Sequence, residues 1–563
     1  MVILQFLLFF ICLYLLGRGL LIIHSYFLKK PFKNFENIKV FDLDIQFFFP
    51  IFGLIFIGNL VVLANFFIGV NNNLIFTIFF SLILLNVRYL KKLSFNFIQF
   101  INYILLPSIL SISTHEIGLH YDTGLYHLNY QNWIRSEKIA IGLTNINERF
   151  GYSSIYDHIS SVLWYGDNFI LLHFLNLSFI VILFQFLSKI IFSQNKTLFM
   201  SGYFIILFGI LDNFGFQGGR NGFIYIEGIG KQDVAFAVIF FISNLLLINA
   251  IKNNTFNITD FYISGYLLLF LIQIRIFGFL TLFLYIYYFL GLSDFKTKKY
   301  MKNLKFLLPP FLLGIIWMIK NVLISSCLFF PVESTCIHQL KWNKFEHANN
   351  AAYIVQDFYY ALPTEDGLMG WYNHWFSSPH NATLTKNFII SFTIIFILRH
   401  VFFKNSNKNT LLFNLSISLY VFMSFYLWIY NAPAIRLAMG TLLVIVSYLG
   451  LGELKLRFNN RLFNLYKNKN ILILLILVCT VLVPRFYKYK DFILNPLENY
   501  YVGVEVVETV KNPRGWGVIP KEGNECEINL ECVPYEVEVS LNYSKNFNYK
   551  IFIPPEVWAK YGS

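Results

Sequence analysis

The chain has 563 residues, of which 56% are apolar and only 13% charged, at a mean hydropathy of +0.57. A soluble domain carries about 25% charged residues, so a water-covered globule of this size is excluded. The net charge of +13 lies in short clusters between apolar runs. No basic face interleaved with aromatics tracks a phosphate backbone, which excludes nucleic-acid binding and fits the positive-inside pattern of a membrane protein.

In chain order, the apolar runs that read as spans are 2–23, 45–69, 74–88, 96–112, 168–188, 198–212, 233–250, 259–274, 277–292, 304–325, 387–402, 409–429, 434–451 and 470–485. A straight crossing needs about 20 residues, so the shorter runs leave room for merged or re-entrant pieces. The expected fold is an all-α polytopic bundle of about 12–14 transmembrane helices. Residues 1–23 lack the basic start and small-residue cleavage site of a signal peptide and read as a first helix.

Placing the N-terminus outside sorts the connections into two kinds. Inside loops are short and basic, for example Lys29 to Lys39, Arg88 to Lys92, and Lys296 to Lys305. Outside segments are 113–167, 213–232, 326–386 and a C-terminal extension, 486–563, after the helical domain 1–485. They are longer and rich in Trp, His, Gly and Pro. In the extension, VEVVETVKN and EVEVSLNYS alternate as strands do. Cys327, Cys336, Cys526 and Cys532 all fall outside as two local pairs, so disulfides Cys526–Cys532 and Cys327–Cys336 are expected. A zinc site competes, but no ligand cluster of the right spacing accompanies either pair.

The outer segment 113–167 carries the densest chemistry: Glu116, His120, Asp122, His127 and Arg149 at a membrane boundary. From Thr123 to Lys138 the pattern predicts a helix, with Leu125, Leu128 and Trp133 on a buried stripe and Tyr126 and Tyr130 on another face. That reads as an amphipathic helix along the interface. Asp122 is either the N-cap of this helix or a base, and the two roles are compatible. Glu116 is a second candidate base.

Other outer groups are cations. Arg220 and Lys231 lie in 213–232, where the glycines do not form a phosphate loop; either cation could bind an anionic headgroup or simply snorkel. Asp233 reads as a helix-start carboxylate favoured by the dipole. Arg275 is expected at the tip of a tight helical hairpin, Lys320 near the outer end of a span, and Arg436 at the entrance of another. An Arg deep in an apolar run is a functional hypothesis by default, and its fork suits phosphate. Trp371, His374, Trp375 and His380 could stack on sugar or anchor the loop at the interface.

The runs YDTGLYHLNYQNWI, GLTNINERFGYSS, WMIKNVLISSCLFFP, APAIRLAMG and CEINLECVPY, in that order over roughly residues 100–540, resemble a large bacterial family of multi-pass membrane proteins related in architecture to GT-C glycosyltransferases. The most specific parts are Asp122, Tyr126 and His127, and the run Arg149, Phe150, Gly151; Arg275 stands where a Lys is expected. The resemblance implies a GT-C-like fold and transfer of a sugar from a polyprenyl-phosphate donor to an envelope lipid or glycan acceptor. Asp122 would be the base for direct, inverting attack, with Arg149, Arg275 and Arg436 holding the departing phosphate. It further implies the bacterial inner membrane, with both the N-terminus and the extension periplasmic. Some GT-C relatives need a divalent metal and others do not, so the resemblance leaves one open; no metal or other cofactor is indicated here, since no dense carboxylate cluster stands out. A transporter or flippase of lipid-linked glycans, or a non-catalytic envelope-assembly protein, are the competing classes; a transporter would show repeats or broken midplane helices, and none is evident.

Overall fold

The computed structural model describes residues 2–27, 38–71, 73–87, 97–112, 119, 121–164, 166, 168–191, 196–212, 231–292, 307–344, 346–364, 366–402, 411–451, 503–504, 506–544 and 548–555. Glu116, His120, Arg220, most of the basic loops and the expected span 470–485 lie outside these residues.

Helices follow the apolar runs. They are α1 (Val2–Phe27), α2 (Phe49–Asn65), α3 (Asn73–Val87), α4 (97–112), α5 (123–136), α6 (Ile155–Ser161), α7 (Ile170–Ile191), α8 (Lys196–Asp212), α9 (Asp233–Lys252), α10 (Ile258–Ile274), α11 (Phe279–Leu292), α12 (Leu308–Ser325), α13 (His347–Phe358), α14 (Gly367–Ser377), α15 (Pro379–Phe402), α16 (Leu411–Asn431) and α17 (Ile435–Gly450). Local signals set several ends. Prolines stand in the first turns of α2 and α12, where a missing N–H costs nothing. The Asn257 side chain accepts from Thr259 N at the start of α10, and Ser154 from Tyr156 N at the start of α6.

Among the described residues, seven helices are long and apolar enough to cross a membrane, and six more apolar helices are shorter. This is consistent with a multi-pass membrane protein. The axis of the bundle is α9, buried along its length and packed against α7, α10, α11 and α17. At the periphery, α12, α15 and α16 expose Phe311, Ile389, Ile390, Ile397 and Phe422, a surface suited to lipid. Between α1 and α2 the backbones touch: a Cβ on Gly17 would lie 1.8 Å from Phe49 O, and one on Gly53 2.2 Å from Leu13 O. Small residues permit this close crossing.

The bundle has two ends of different character. At one, Lys189 meets Asp44 at 3.1 Å, Phe41 N donates to Asp260 at 2.9 Å and Asn257 N donates to the Tyr288 hydroxyl. The other end gathers α5, α6, the segment 326–377 and the C-terminal extension. That extension forms two antiparallel hairpins, after the short pair β1 (Lys39–Val40) and β2 (Leu43–Asp44): β3 (Thr509–Lys511) with β4 (Val518–Pro520), and β5 (Ser540–Tyr543) with β6 (Lys550–Ile553). Both expected disulfides are present.

Two expectations change. The segment 326–386 is not a plain loop, since α13 and α14 lie within it. And α5 does not lie open along an interface: Leu125, Leu128, Tyr130, Trp133 and Ile134 are buried, and so are His127, Asn129 and Gln131 on its other faces. The extension covers it. Cys526 N and Glu527 N both donate to Gly124 O, Asn132 donates to Ile528 O at 2.7 Å, and Trp133 packs edge-on to Phe552.

Candidate functional site

The start of α5 is the centre of the site. Its first turn, Thr123–His127, is a π-helix in which Leu128 N bonds Thr123 O. Single π-turns inside helices are rare and recur at functional sites. In an α-turn residue i+4 lies beneath residue i, whereas this turn closes one residue later, between Thr123 and Leu128.

Asp122 occupies the N-cap position but makes no side-chain cap bond. Its carboxylate instead pairs with the Lys231 ammonium, which is 11% exposed. Tyr126 reports what else converges here. Burial, then the charges of Asp122 and Asp157, push its hydroxyl well above the ordinary tyrosine range, while Arg275 and Arg149 act in the opposite sense. Two carboxylates and two guanidiniums therefore act electrostatically on one phenol.

Beneath it, His127 Nδ1 meets Asp157 Oδ1 at 2.9 Å, both side chains 5% exposed. Gln131 also donates to that oxygen at 3.5 Å, and Trp164 Nε1 holds Gln131 at 2.9 Å. Lys320 is completely buried; its ammonium donates to Ser153 Oγ at 2.6 Å and lies 3.4 Å from the Trp317 ring centre. Tyr130 shares the same Ser153 hydroxyl. Lys320 is thus an internal cation of the wall, not a rim cation open to a headgroup.

The remaining cations meet on Asp233, the first residue of α9. Arg275 pairs with one carboxylate oxygen, and Arg436 Nε lies 3.4 Å from the other. Arg275 sits at the expected hairpin tip, extended between α10 and a short 3-10 turn. Arg436 also donates to the Tyr359 hydroxyl. So the end of α10 and the starts of α9 and α17 present two guanidiniums side by side, about a quarter exposed (24% and 28%). Arg149 donates to the hydroxyl of Tyr535 in the extension.

The structure therefore places Asp122 and Lys231 in contact, Tyr126, His127, Arg149 and Arg275 around them, and Arg436 beside Arg275. Trp371 and Trp375 do not form an open sugar platform. They stack on each other and against Trp428, with Trp375 Nε1 bonded to Pro433 O, all buried.

Three residues were not singled out from sequence: Asp157, Tyr359 and Tyr535. Asp157 had a visible signal, since Ser154, Asp157, His158 and Ser161 recur at i, i+3, i+4 and i+7, a polar stripe on one helix face. Tyr359 and Tyr535 had none. Asp233 was read as a dipole partner only; its two arginines come from positions distant in sequence.

Fold and site define a helical protein with several helices long and apolar enough to cross a membrane and a charged centre at one end of its bundle. The chain belongs to the family described as a domain of unknown function, DUF8201, whose match covers residues 1–443. That range takes in Asp122 to Arg436 and stops short of the extension. No curated protein and no solved structure matches the chain.

Proposed function

We propose that the protein is a GT-C-like membrane glycosyltransferase. In this reading it moves a sugar from a polyprenyl-phosphate donor to an envelope lipid or glycan acceptor, on the periplasmic face of a bacterial inner membrane. The observation that carries the proposal is the convergence of Asp122, paired with Lys231, and the arginines Arg149, Arg275 and Arg436 at one end of an apolar helical bundle. A lipid-borne phosphate needs an apolar path for its chain and fixed cations for its charge. Guanidiniums clustered on Asp233 are oriented before the ligand arrives, and preorganised donors stabilise charge as it develops.

The chemistry is a single displacement. Asp122 removes the acceptor hydroxyl proton as the oxygen bonds the anomeric carbon. The bond from that carbon to the phosphate oxygen breaks, its electron pair leaves with the phosphate, and configuration inverts. Lys231 fixes the orientation of the carboxylate throughout.

The test uses the full chain in proteoliposomes with a panel of radiolabelled sugars on undecaprenyl phosphate and an envelope lipid extract as acceptor. Label is expected in the acceptor, with Asp122→Asn lowering the rate by roughly 10²–10⁴-fold. Label that crosses the bilayer on its original carrier would identify a flippase instead. Full transfer by Asp122→Asn would remove Asp122 as base.

A further inference from the structure

The buried pair His127–Asp157 has no part in the displacement just described, yet it lies one π-turn from Asp122. Asp157 is 5% exposed and its carboxylate accepts from His127 Nδ1 and from Gln131. An ionised carboxylate only accepts, so the imidazole proton sits on Nδ1 and Nε2 is the basic atom. Among the described residues nothing bonds Nε2. An imidazole whose tautomer is fixed by a buried carboxylate is the arrangement of an oriented proton acceptor.

We propose that His127 is the second proton acceptor of the site, receiving the proton that Asp122 takes from the acceptor hydroxyl, and that Asp157 is its positioning residue. The inference rests on the transferase reading. The acceptor O–H bond breaks with its proton going to Asp122, and that proton then passes to Nε2 of His127. Asp122 returns to its ionised form, and the imidazolium releases the proton to water after the product leaves.

Charge pairing gives the direction. With the proton on Asp122, the largely buried Lys231 ammonium loses its counter-charge while Asp157 faces a neutral imidazole. With the proton on His127, Asp122 pairs with Lys231 and Asp157 with the imidazolium. The second arrangement is the one that keeps both ion pairs. Lys320 and Asp157 interact electrostatically, and Arg149 and Arg275 act on the neighbouring Tyr126 hydroxyl; cations here oppose a protonated imidazole, and the Asp157 carboxylate 2.9 Å from Nδ1 favours it. The Tyr126 ring packs 4.1 Å from that of His127, and its hydroxyl lies under both carboxylates' fields.

Two arms test this in the full-length protein. In the first, diethyl pyrocarbonate is applied without substrate and labelled histidines are mapped by mass spectrometry. His127 is expected to be carbethoxylated at Nε2 in the folded wild type, and several-fold more slowly in Asp157→Asn, where the fixed tautomer is lost. An unlabelled His127 in the folded wild type overturns the proposal, and that measurement needs no variant to fold. In the second, His127→Ala is expected to lose transfer by roughly 10²-fold, with KM unchanged and partial recovery on adding imidazole. Full activity in His127→Ala, or loss without rescue, overturns it. If no donor in the panel supports transfer, the transferase reading fails while the labelling arm still reports on His127 and Asp157.

Discussion

Replacing Asp233 by Asn keeps the side-chain shape and removes a charge shared by Arg275 and Arg436. Asp233 is 3% exposed, and breaking a buried ion pair by neutralising one partner costs about 3–5 kcal/mol. Both arginines are about a quarter exposed, so water takes over part of the lost interaction and about 2–3 kcal/mol is expected. At about 2 °C per kcal/mol, the lower end for large domains, the midpoint should fall by about 4–6 °C. Thermal unfolding of the solubilised protein, followed by tryptophan fluorescence, measures this; the Trp371, Trp375 and Trp428 cluster lies close to α17 through Pro433. The same variant leaves two guanidiniums without their internal carboxylate. A short-chain prenyl phosphate should therefore raise its midpoint more than that of the wild type, by mass action on the folded state. An unmoved midpoint together with equal ligand shifts would refute the reasoning, since the arginines would then not depend on Asp233.

Gly142 has φ +69°, and a Cβ there would lie 2.4 Å from Phe552 O and 2.7 Å from Trp342 Cβ; Gly142→Ala should cost about 2–4 kcal/mol, read as a lowered unfolding midpoint. Trp375→Ala should lose about 3–5 kcal/mol and leave the sugar preference of any transfer unchanged, because the ring packs on Trp371 and Trp428. Burial lowers the His347 imidazole from 6.5 to about 4, with Lys344 adding to the effect. The unfolded chain then binds more protons than the folded one between these values, so stability should fall as pH drops from about 6.5 to 4, by up to about 1.4 kcal/mol per pH unit. His347→Gln should flatten that slope in unfolding scans. Cys526→Ser with Cys532→Ser releases the loop whose amides hold Gly124 O; faster proteolysis between residues 520 and 535, with a global midpoint little changed, is expected.

Much of the helical architecture was legible because apolar length and helix formation coincide in such a chain. Thirteen expected spans each contain a described helix, and the fourteenth, 470–485, lies outside the described residues. The hairpin tip at Arg275 was also legible, since basic loops on either side require the chain to go out and return. The individual site groups Asp122, Tyr126, His127 and Arg149 could be named from one dense segment. Their pairing could not. Lys231 reaches Asp122 across 109 positions and Asp157 reaches His127 across 30, and no local pattern encodes such partners. The interfacial placement of α5 failed for a related reason: its hydrophobic stripe is real, but what covers the rest of the helix comes from about 400 residues later in the chain. The π-turn escaped because one extra residue in a turn leaves composition and periodicity almost unchanged.

The covering of α5 has a consequence for how the molecule is made. The α5 residues are made about 400 residues before Cys526 and Glu527, whose amides close over Gly124 O, and before Tyr535, which bonds Arg149. Until those arrive, Asn129, Asn132 and Gly124 O lack their partners in the extension, while His127, Tyr130 and Gln131 already have theirs in Asp157, Ser153 and Trp164. The cover over α5 thus forms only when the extension lies on the same side of the bundle as α5. Any event that delays or misroutes the extension would yield a protein with its apolar helices and buried ion pairs in place and the start of α5 uncovered.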